Sequence, residues 1–433
     1  MRKRVWLITA LLFASVLSMV GSGQRAIVIG GAAVNGPICA SSSTLETLAD
    51  CIRDHMPKAG SNGFVAPNET EQADWRGVVN KMLRGSCDFT LPDSLSGVMR
   101  IKTFTDSANG RNYCVLMEAH ASKSDGSVDR GWGTFIVYSG ATRELSHQAP
   151  HPISDSGTEI QAITIFKETD SRSYLMAGAR RDTNTANSAC QCTSKEADAA
   201  HNTANMFQAT NQELIKYYRA APWHAIQWHG MAADTCPCTD VYPSHGVEVA
   251  PLATDKIAVL KANLRIHNPT WIVDLPGTGA CTLNATDNTQ GRLINGVPAG
   301  SVCGTQASSY NGKFISIEQD PGFRNPSDWI KPVKDTFPVV TLPPAPAGLT
   351  AAPGKGKIIL NWDASSGAQS YNIKRSRASG GPFTTIISGV TGTAYSNTRL
   401  RPGVFFFYVV TAVNSAGESG NSNEASARAR FQP

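Results

Sequence analysis

Three polar side chains stand just past apolar runs that read as β-strands. His151 follows Glu144–Ala149, His229 follows Trp223–Gln227, and Glu318 follows Phe314–Ile317. In open α/β sheets, ligand sites lie outside the carboxyl ends of strands. Two further carboxylates, Asp155 and Glu159, come soon after His151. Imidazole nitrogen and carboxylate oxygen both suit zinc, and two His with one carboxylate leave a fourth position open for water. Zinc lowers the pKa of such a water from ~15.7 toward ~7. A carboxylate off the metal can take the water's proton and pass it to a leaving group; Glu318 is placed for that role. Taken singly, each residue has a plainer reading. Ser154-Asp155-Ser156-Gly157 is turn chemistry, Glu159 suits the first turn of a helix, and Glu318 can pair with Arg324. Three equivalent strand ends together favour a metal site.

Candidate substrate groups are arginines. Arg180 and Arg181 follow the strand end at Ala177-Gly178, and Arg324 follows Glu318. A guanidinium there can grip a substrate carboxylate with two parallel hydrogen bonds. His201 reads either as lining the site or as capping its helix, with the cap favoured, and His147 reads as packing.

These groups need a scaffold. Thr134–Tyr138 reads as a strand, and Thr158–Lys167 has helical spacing with Ile160, Ile163 and Phe166 on one side, capped by Thr158. Ser173–Gly178 reads as a strand, Asp198–Tyr218 as a long helix, Lys256–Asn263 as a helix and Trp271–Asp274 as a short strand. Strands alternating with helices indicate an α/β fold with a mostly parallel sheet flanked by helices. This disulfide-bonded unit should span 24–337, with the metal-site part at about 130–335.

The segment from Pro150 to Glu159 resembles the first metal motif of zinc-dependent exopeptidase-like hydrolases. It is most similar to the poly-gamma-glutamate hydrolase and N-formylglutamate amidohydrolase branches, remote kin of zinc carboxypeptidases. The resemblance is at the level of motifs. It implies His151, Asp155 and His229 as zinc ligands and Glu318 as general base. This chain has His-x-x-x-Asp where the carboxypeptidases have His-x-x-Glu, so Glu159 stands in reserve as the acidic ligand. Residues 25–130 match no pattern.

Pro338–Gly348 is a Pro-rich break. Beyond it lie short alternating runs: Lys357–Trp362, Ser370–Arg375 and Phe405–Val413. Period-2 runs between turns mean an antiparallel all-β sandwich. Residues about 343–431 resemble a fibronectin type III domain through Pro344–Leu349, Trp362, Tyr371, Leu400-x-Pro402-Gly403 and Val410–Ser419. Phe406 stands where that family has its corner tyrosine, which removes the hydroxyl's hydrogen bond. The resemblance implies a spacer or adhesive module, with contact to a surface or polysaccharide, over 349–433.

At 433 residues the chain has room for two or three domains. Hydrophobic residues are 41% and charged residues 17%, which excludes a disordered chain. The net charge is +5, of which Arg2, Lys3 and Arg4 supply three, so no nucleic-acid partner is expected. Those cations, the apolar run Val5–Val20 and Gly21-Ser22-Gly23 form a secretory signal peptide over 1–23. Sixteen residues, two Ser and one Thr among them, fall short of the ~20 that span a bilayer, and no later stretch reaches that length, so no integral membrane segment should remain after cleavage. Ten Cys then read as disulfides of a secreted protein. Sequence does not determine their connectivity; pairing neighbours gives Cys39–Cys51, Cys87–Cys114 and Cys281–Cys303, with Cys190/Cys192 matched to Cys236/Cys238. No GxGxxG or GxSxG motif accompanies these features. The leading expectation is a zinc hydrolase of an amide bond in a peptide or polymer substrate. The rivals are a non-enzymatic adhesion protein and a metal-dependent esterase or deacetylase.

Overall fold

The computed structural model describes residues 37–431 apart from Ala280, Val340 and Ser415. The expected signal peptide lies outside these residues. In chain order the first part comprises α1 (Leu45–Asp54), α2 (Glu69–Leu83), α3 (Asp93–Ser96), β1 (Met99–Thr105), β2 (Asn112–Glu118), β3 (Thr134–Val137) and β4 (Arg143–Ala149). It continues with α4 (Thr158–Glu168), β5 (Ser171–Met176), α5 (Met206–Tyr218), β6 (His224–Trp228), β7 (Val241–Ser244), α6 (Lys256–His267), α7 (Thr289–Ile294), β8 (Phe314–Gln319) and α8 (Ser327–Thr336).

The eight strands form one sheet in the order β1-β2-β3-β5-β4-β6-β8-β7. It is mixed, which corrects the expectation of a mostly parallel sheet. Only the central pairs β4/β5, β4/β6 and β6/β8 are parallel. The β1-β2-β3 flank, the β3/β5 junction and the far edge strand β7 are antiparallel. The unmatched region before 130 supplies α1–α3 and the β1 and β2 strands of that flank. Period-2 alternation sends side chains to two cores. Tyr174 and Met176 of β5 join a cluster with α1, α4, α6 and α8, whereas Leu175 between them joins one with α2 and α5. Strands buried on both faces carry the near-continuous apolar runs that made them legible.

Helix starts follow local chemistry. Thr44 and Asn68 cap α1 and α2 in reciprocal capping boxes. At α4 the cap is Gly157, with φ 85°, not Thr158, whose buried hydroxyl finds no partner. The expected long helix from Asp198 is shorter: α5 starts at Met206 with Asn205 as its cap. Asp198, Asn202 and Asn205 side chains instead bond nearby backbone groups and hold residues 198–205 in turns. Such local bonds compete with the helix ladder. Trp271–Asp274 contributes only an isolated bridge, Val273 to Val241.

Disulfides Cys39–Cys51 and Cys87–Cys114 form as neighbour pairing expects. The others do not. Cys303 joins Cys190, Cys281 joins Cys236, and Cys192 and Cys238 are free and exposed. Chain proximity failed there because the segment around α7 is docked between two distant loops, with Thr289 bonded to Ala200 and Ser244 to Asn284. No helix among the described residues is long and apolar enough to cross a membrane.

After the linker, β9 (Thr350–Gly354), β10 (Lys357–Asn361), β11 (Ser370–Ser376), β12 (Thr384–Val390), β13 (Ala394–Thr398), β14 (Phe405–Asn414), β15 (Gly417–Glu418) and β16 (Ala425–Arg428) build two antiparallel sheets. Trp362 and Tyr371 meet edge to face in their shared core, with ring centres 5.4 Å apart. Phe406 is buried without a hydroxyl, as expected. Two residues on, buried Tyr408 accepts from Asn397 Nδ2 at 2.9 Å, tying β14 to β13.

Candidate metal centre

β4, β6 and β8 are neighbours, and their carboxyl ends bring the expected residues together. His151 lies two residues past β4. His229 follows β6 directly, and its N–H bonds to the carbonyl of Ile317, the residue before Glu318 on β8. Asp155 returns on the turn between β4 and α4, where its N–H bonds to the His151 carbonyl at 2.9 Å. His151, Asp155 and His229 are all buried and can offer ligand atoms within 4.8 Å of one another.

The rings are oriented from behind. His151 Nδ1 faces Asp155 Oδ2 at 3.1 Å, while Nε2 faces Asp198 Oδ1 at 3.0 Å. His229 Nδ1 is 3.5 Å from Asp155 Oδ2, and its Nε2 meets Gln227 Oε1 at 3.3 Å. Gln227 is itself held by Asn288 and Gln148 in a buried amide network. With each Nε2 donating backwards, both Nδ1 atoms are left to point at a shared position. Metal-binding imidazoles are held this way, with the distal N–H bonded to an acceptor that fixes ring and tautomer.

The electrostatics of the bare site ask for positive charge. Burial lowers the His151 pKa, but Asp198 and Asp155 outweigh it and push it up to about 10. Burial likewise raises Asp155 and Asp198, yet His151 leads the imidazoles that hold both well below the usual carboxylate range. Glu318 is raised by burial, opposed by His229 and reinforced by Asp155. That places its carboxyl within the field of the group.

The other candidates divide. Arg181 is half exposed, and its Nη1 is 3.8 Å from Asp155 Oδ1. Arg180 pairs with Asp182 and, with Arg53, Lys58 and Glu159, lines a cavity of about 450 Å³ beside Ile153 and Gly157. Glu159 is not in the His–Asp group; one oxygen pairs with Arg53 at 3.3 Å and the other is buried without a partner. As a ligand in reserve it is displaced by Asp155. Arg324 spends its guanidinium on the carbonyls of Ser156, Met231 and Gln319, so it braces two loops against the end of β8 rather than awaiting a substrate. The Glu318–Arg324 ion pair that was the plainer alternative for Glu318 is not formed among the described residues. A larger cavity, about 530 Å³ beside Trp223 and Phe337, lies at the opposite, amino ends of the strands.

One neighbour of His151 was missed, Asp198, and a second, His201, was set aside in favour of a cap. Asp198 binds His151, and His201 Nδ1 meets the same Asp198 oxygen at 3.0 Å while its ring stacks on His151. Together with His151 they form a second group able to offer metal ligands. Their acid–x–x–His spacing was the available signal, hidden because the segment reads as helix. His147 packs as expected: it is fully buried, and burial lowers its pKa to about 3.

No family model matches the chain. Amylopullulanase from Thermoanaerobacterium saccharolyticum is 38% identical over 94 residues, 22% of this chain and 7% of that protein. The tail tube protein gp17.1* of Bacillus phage SPP1 is 36% identical over 80 residues, 18% of this chain and 28% of that protein. A solved Fn3-like protein from Clostridium thermocellum is 39% identical and covers 22% of this chain and 99% of its own, with a TM-score of 0.19. This chain therefore spans only a small part of the curated relatives' length. What the likenesses show is homology to Fn3-like domains over about 22% of the chain.

Proposed function

We propose that the α/β part is an exported zinc-dependent hydrolase that cleaves an amide bond in a peptide, a γ-glutamyl polymer or a cell-wall peptide. The observation that carries this reading is the buried His151–Asp155–His229 group with Glu318 beside it. The donor set fits zinc: two imidazoles with their Nδ1 atoms converging, one carboxylate, and positive charge wanted by the surroundings. When bound, zinc supplies Lewis acidity that polarises a carbonyl and acidifies water. Glu318, raised by burial, takes a proton from water and delivers it to the leaving nitrogen. Asp198 and Gln227 hold the two rings, and Arg324 holds the loops that carry Asp155 and Met231. Lys58 lines the neighbouring cavity outside any ion pair among the described residues and is the cation there left to meet a substrate carboxylate, since Arg180 is paired with Asp182 and Arg53 with Asp50, Asp54 and Glu159. The zinc-exopeptidase resemblance supports the same ligand order, and four disulfides among the described residues support export.

The test is metal content and turnover together. Purified protein should hold about one zinc per chain, lost in His151→Ala and His229→Ala. Glu318→Gln should keep the zinc and lose hydrolysis of γ-glutamyl and peptide substrates. No zinc after reconstitution would remove the mechanism and favour the adhesion reading, for which the Fn3-like domain speaks. Full activity in Glu318→Gln would remove the assigned base.

A further inference from the structure

Charge is unevenly divided along the chain. Residues 343–433 hold nine Lys and Arg against three Asp and Glu, whereas residues 5–342 hold more acids than bases. The register of the sandwich gathers eight of the nine cations at one end. Lys355 and Lys357 sit on the β9–β10 turn, Arg399 and Arg401 on the β13–β14 loop, and Arg428 and Arg430 at the close of β16. These three segments are hydrogen-bonded to one another through Leu400 to Gly356, Gly356 to Arg430, and Gly403 to Ala429. Arg375 and Arg377 join them where β11 runs out opposite the start of β14.

None of the eight makes an ion pair among the described residues; the sandwich's one ion pair there, Lys374–Glu418, lies toward the other end. Asp363 also lies toward that other end, bonded to Ala347; the third acid, Glu424, lies against the β11–β12 turn just past Arg377, where its two oxygens accept from Ser379 Oγ and the Gly380 N–H rather than from a cation. Three guanidiniums lie over rings: Arg375 and Arg377 over Phe406 at 4.9 and 4.6 Å, and Arg428 over Phe405 at 3.9 Å. Rings hold guanidinium planes in place while leaving their edges free to donate. A cavity of about 340 Å³ opens between Arg375, Arg377 and Pro382. Exposed Phe405 and Phe431 adjoin this end. The linker enters at the opposite end, where Asn414 bonds to Thr341.

We infer that this pole of the Fn3-like domain binds an anionic polymer, a polycarboxylate of the poly-γ-glutamate type, and holds it for the α/β part. Six of the eight cations are arginines, whose forked donors match carboxylates. A neutral glucan would leave this charge unanswered. The choice of a carboxylate polymer over other polyanions rests on the hydrolase reading above; the polyanion site itself does not.

Fluorescently labelled poly-γ-glutamate is titrated into metal-stripped full-length protein at 50 mM salt. Saturable binding is expected, at least tenfold weaker at 300 mM salt. The variant Arg399→Gln/Arg401→Gln/Arg428→Gln/Arg430→Gln should bind at least tenfold more weakly with an unchanged melting curve. Lys355→Gln/Lys357→Gln, on a separate turn, should show a smaller loss of the same sign. Absent binding at 50 mM salt, equal binding by both variants, or equal competition by neutral pullulan would overturn the inference. Tenfold tighter binding of polyphosphate would overturn the choice of polymer. Because the protein is metal-free, these outcomes are independent of whether the hydrolase reading survives.

Discussion

Stripped of metal, the protein should lose stability as pH rises from about 6.5 to about 10. His151 carries the effect. Its imidazole lies between two buried carboxylates, and their pull, against burial, moves its pKa from 6.5 to about 10. A folded pKa above the unfolded one means the native state binds the proton more tightly. The contribution is complete below about pH 6.5 and gone once pH passes the folded value. The size is on the order of 4–5 kcal/mol across that window. This includes the pull that also lowers Asp155 and Asp198, so the same energy is not counted again on their side. Those two carboxylates add an acid limb, lost as pH falls through their depressed range below about 4. The assay is denaturant unfolding of metal-free, disulfide-intact protein at pH 6 to 10, read by fluorescence of buried Trp75, Trp223, Trp228 and Trp329. His151→Gln should flatten the alkaline slope, and so should reconstitution with zinc, which replaces the proton as the positive charge. An alkaline slope equally steep in wild type and His151→Gln would refute the reasoning.

Asp198→Asn should lower zinc affinity 10–100-fold, the usual loss when the acceptor behind a metal-bound imidazole is weakened; competition with a chelator measures it. Gly230→Ala places a Cβ 2.3 Å from Arg324 Nη2, so the guanidinium must leave the Met231 carbonyl. Turnover should fall while zinc content stays near one per chain, checked by parallel kinetics and metal analysis. Tyr408→Phe leaves Asn397 Nδ2 buried and unpaired, and should cost about 1–2 kcal/mol in denaturant unfolding of the C-terminal sandwich. Native alkylation should modify Cys192 and Cys238 and no other cysteine among the described residues, as read by peptide mass mapping.

What could be read in advance was whatever local pattern determines. His151, His229 and Glu318 stood out because each ends a run buried on both faces, and such runs advertise themselves in composition. Asp155 was visible as a carboxylate four residues after His151, although its turn also offered a plainer reading. Asp198 escaped, and His201 was taken for a cap, because their place depends on side chains breaking a helix that the apolar spacing favoured. Gln227 escaped because a glutamine inside a strand shows its use only once Asn288 and Gln148 arrive from elsewhere. The antiparallel flank before residue 130 was unread for a related reason. β1 and β2 have value only against β3, and short half-exposed strands give weak signals until paired. Cysteine pairing was legible over 12 and 27 residues and failed over 113.

The position of β8 has a bearing on synthesis and folding. It is the last strand of the sheet to emerge, yet it is threaded between β6 and β7, both made earlier. Until residues 314–319 arrive, β7 has no partner in the sheet and β6 has one open edge. The half-made domain thus presents unpaired strand to its surroundings, a state prone to mispairing. The same insertion delivers Glu318 beside His229. A nascent chain long enough to carry both histidines and Asp155 is therefore still without Glu318, and the group is assembled only once nearly all of the first 320 residues have been made.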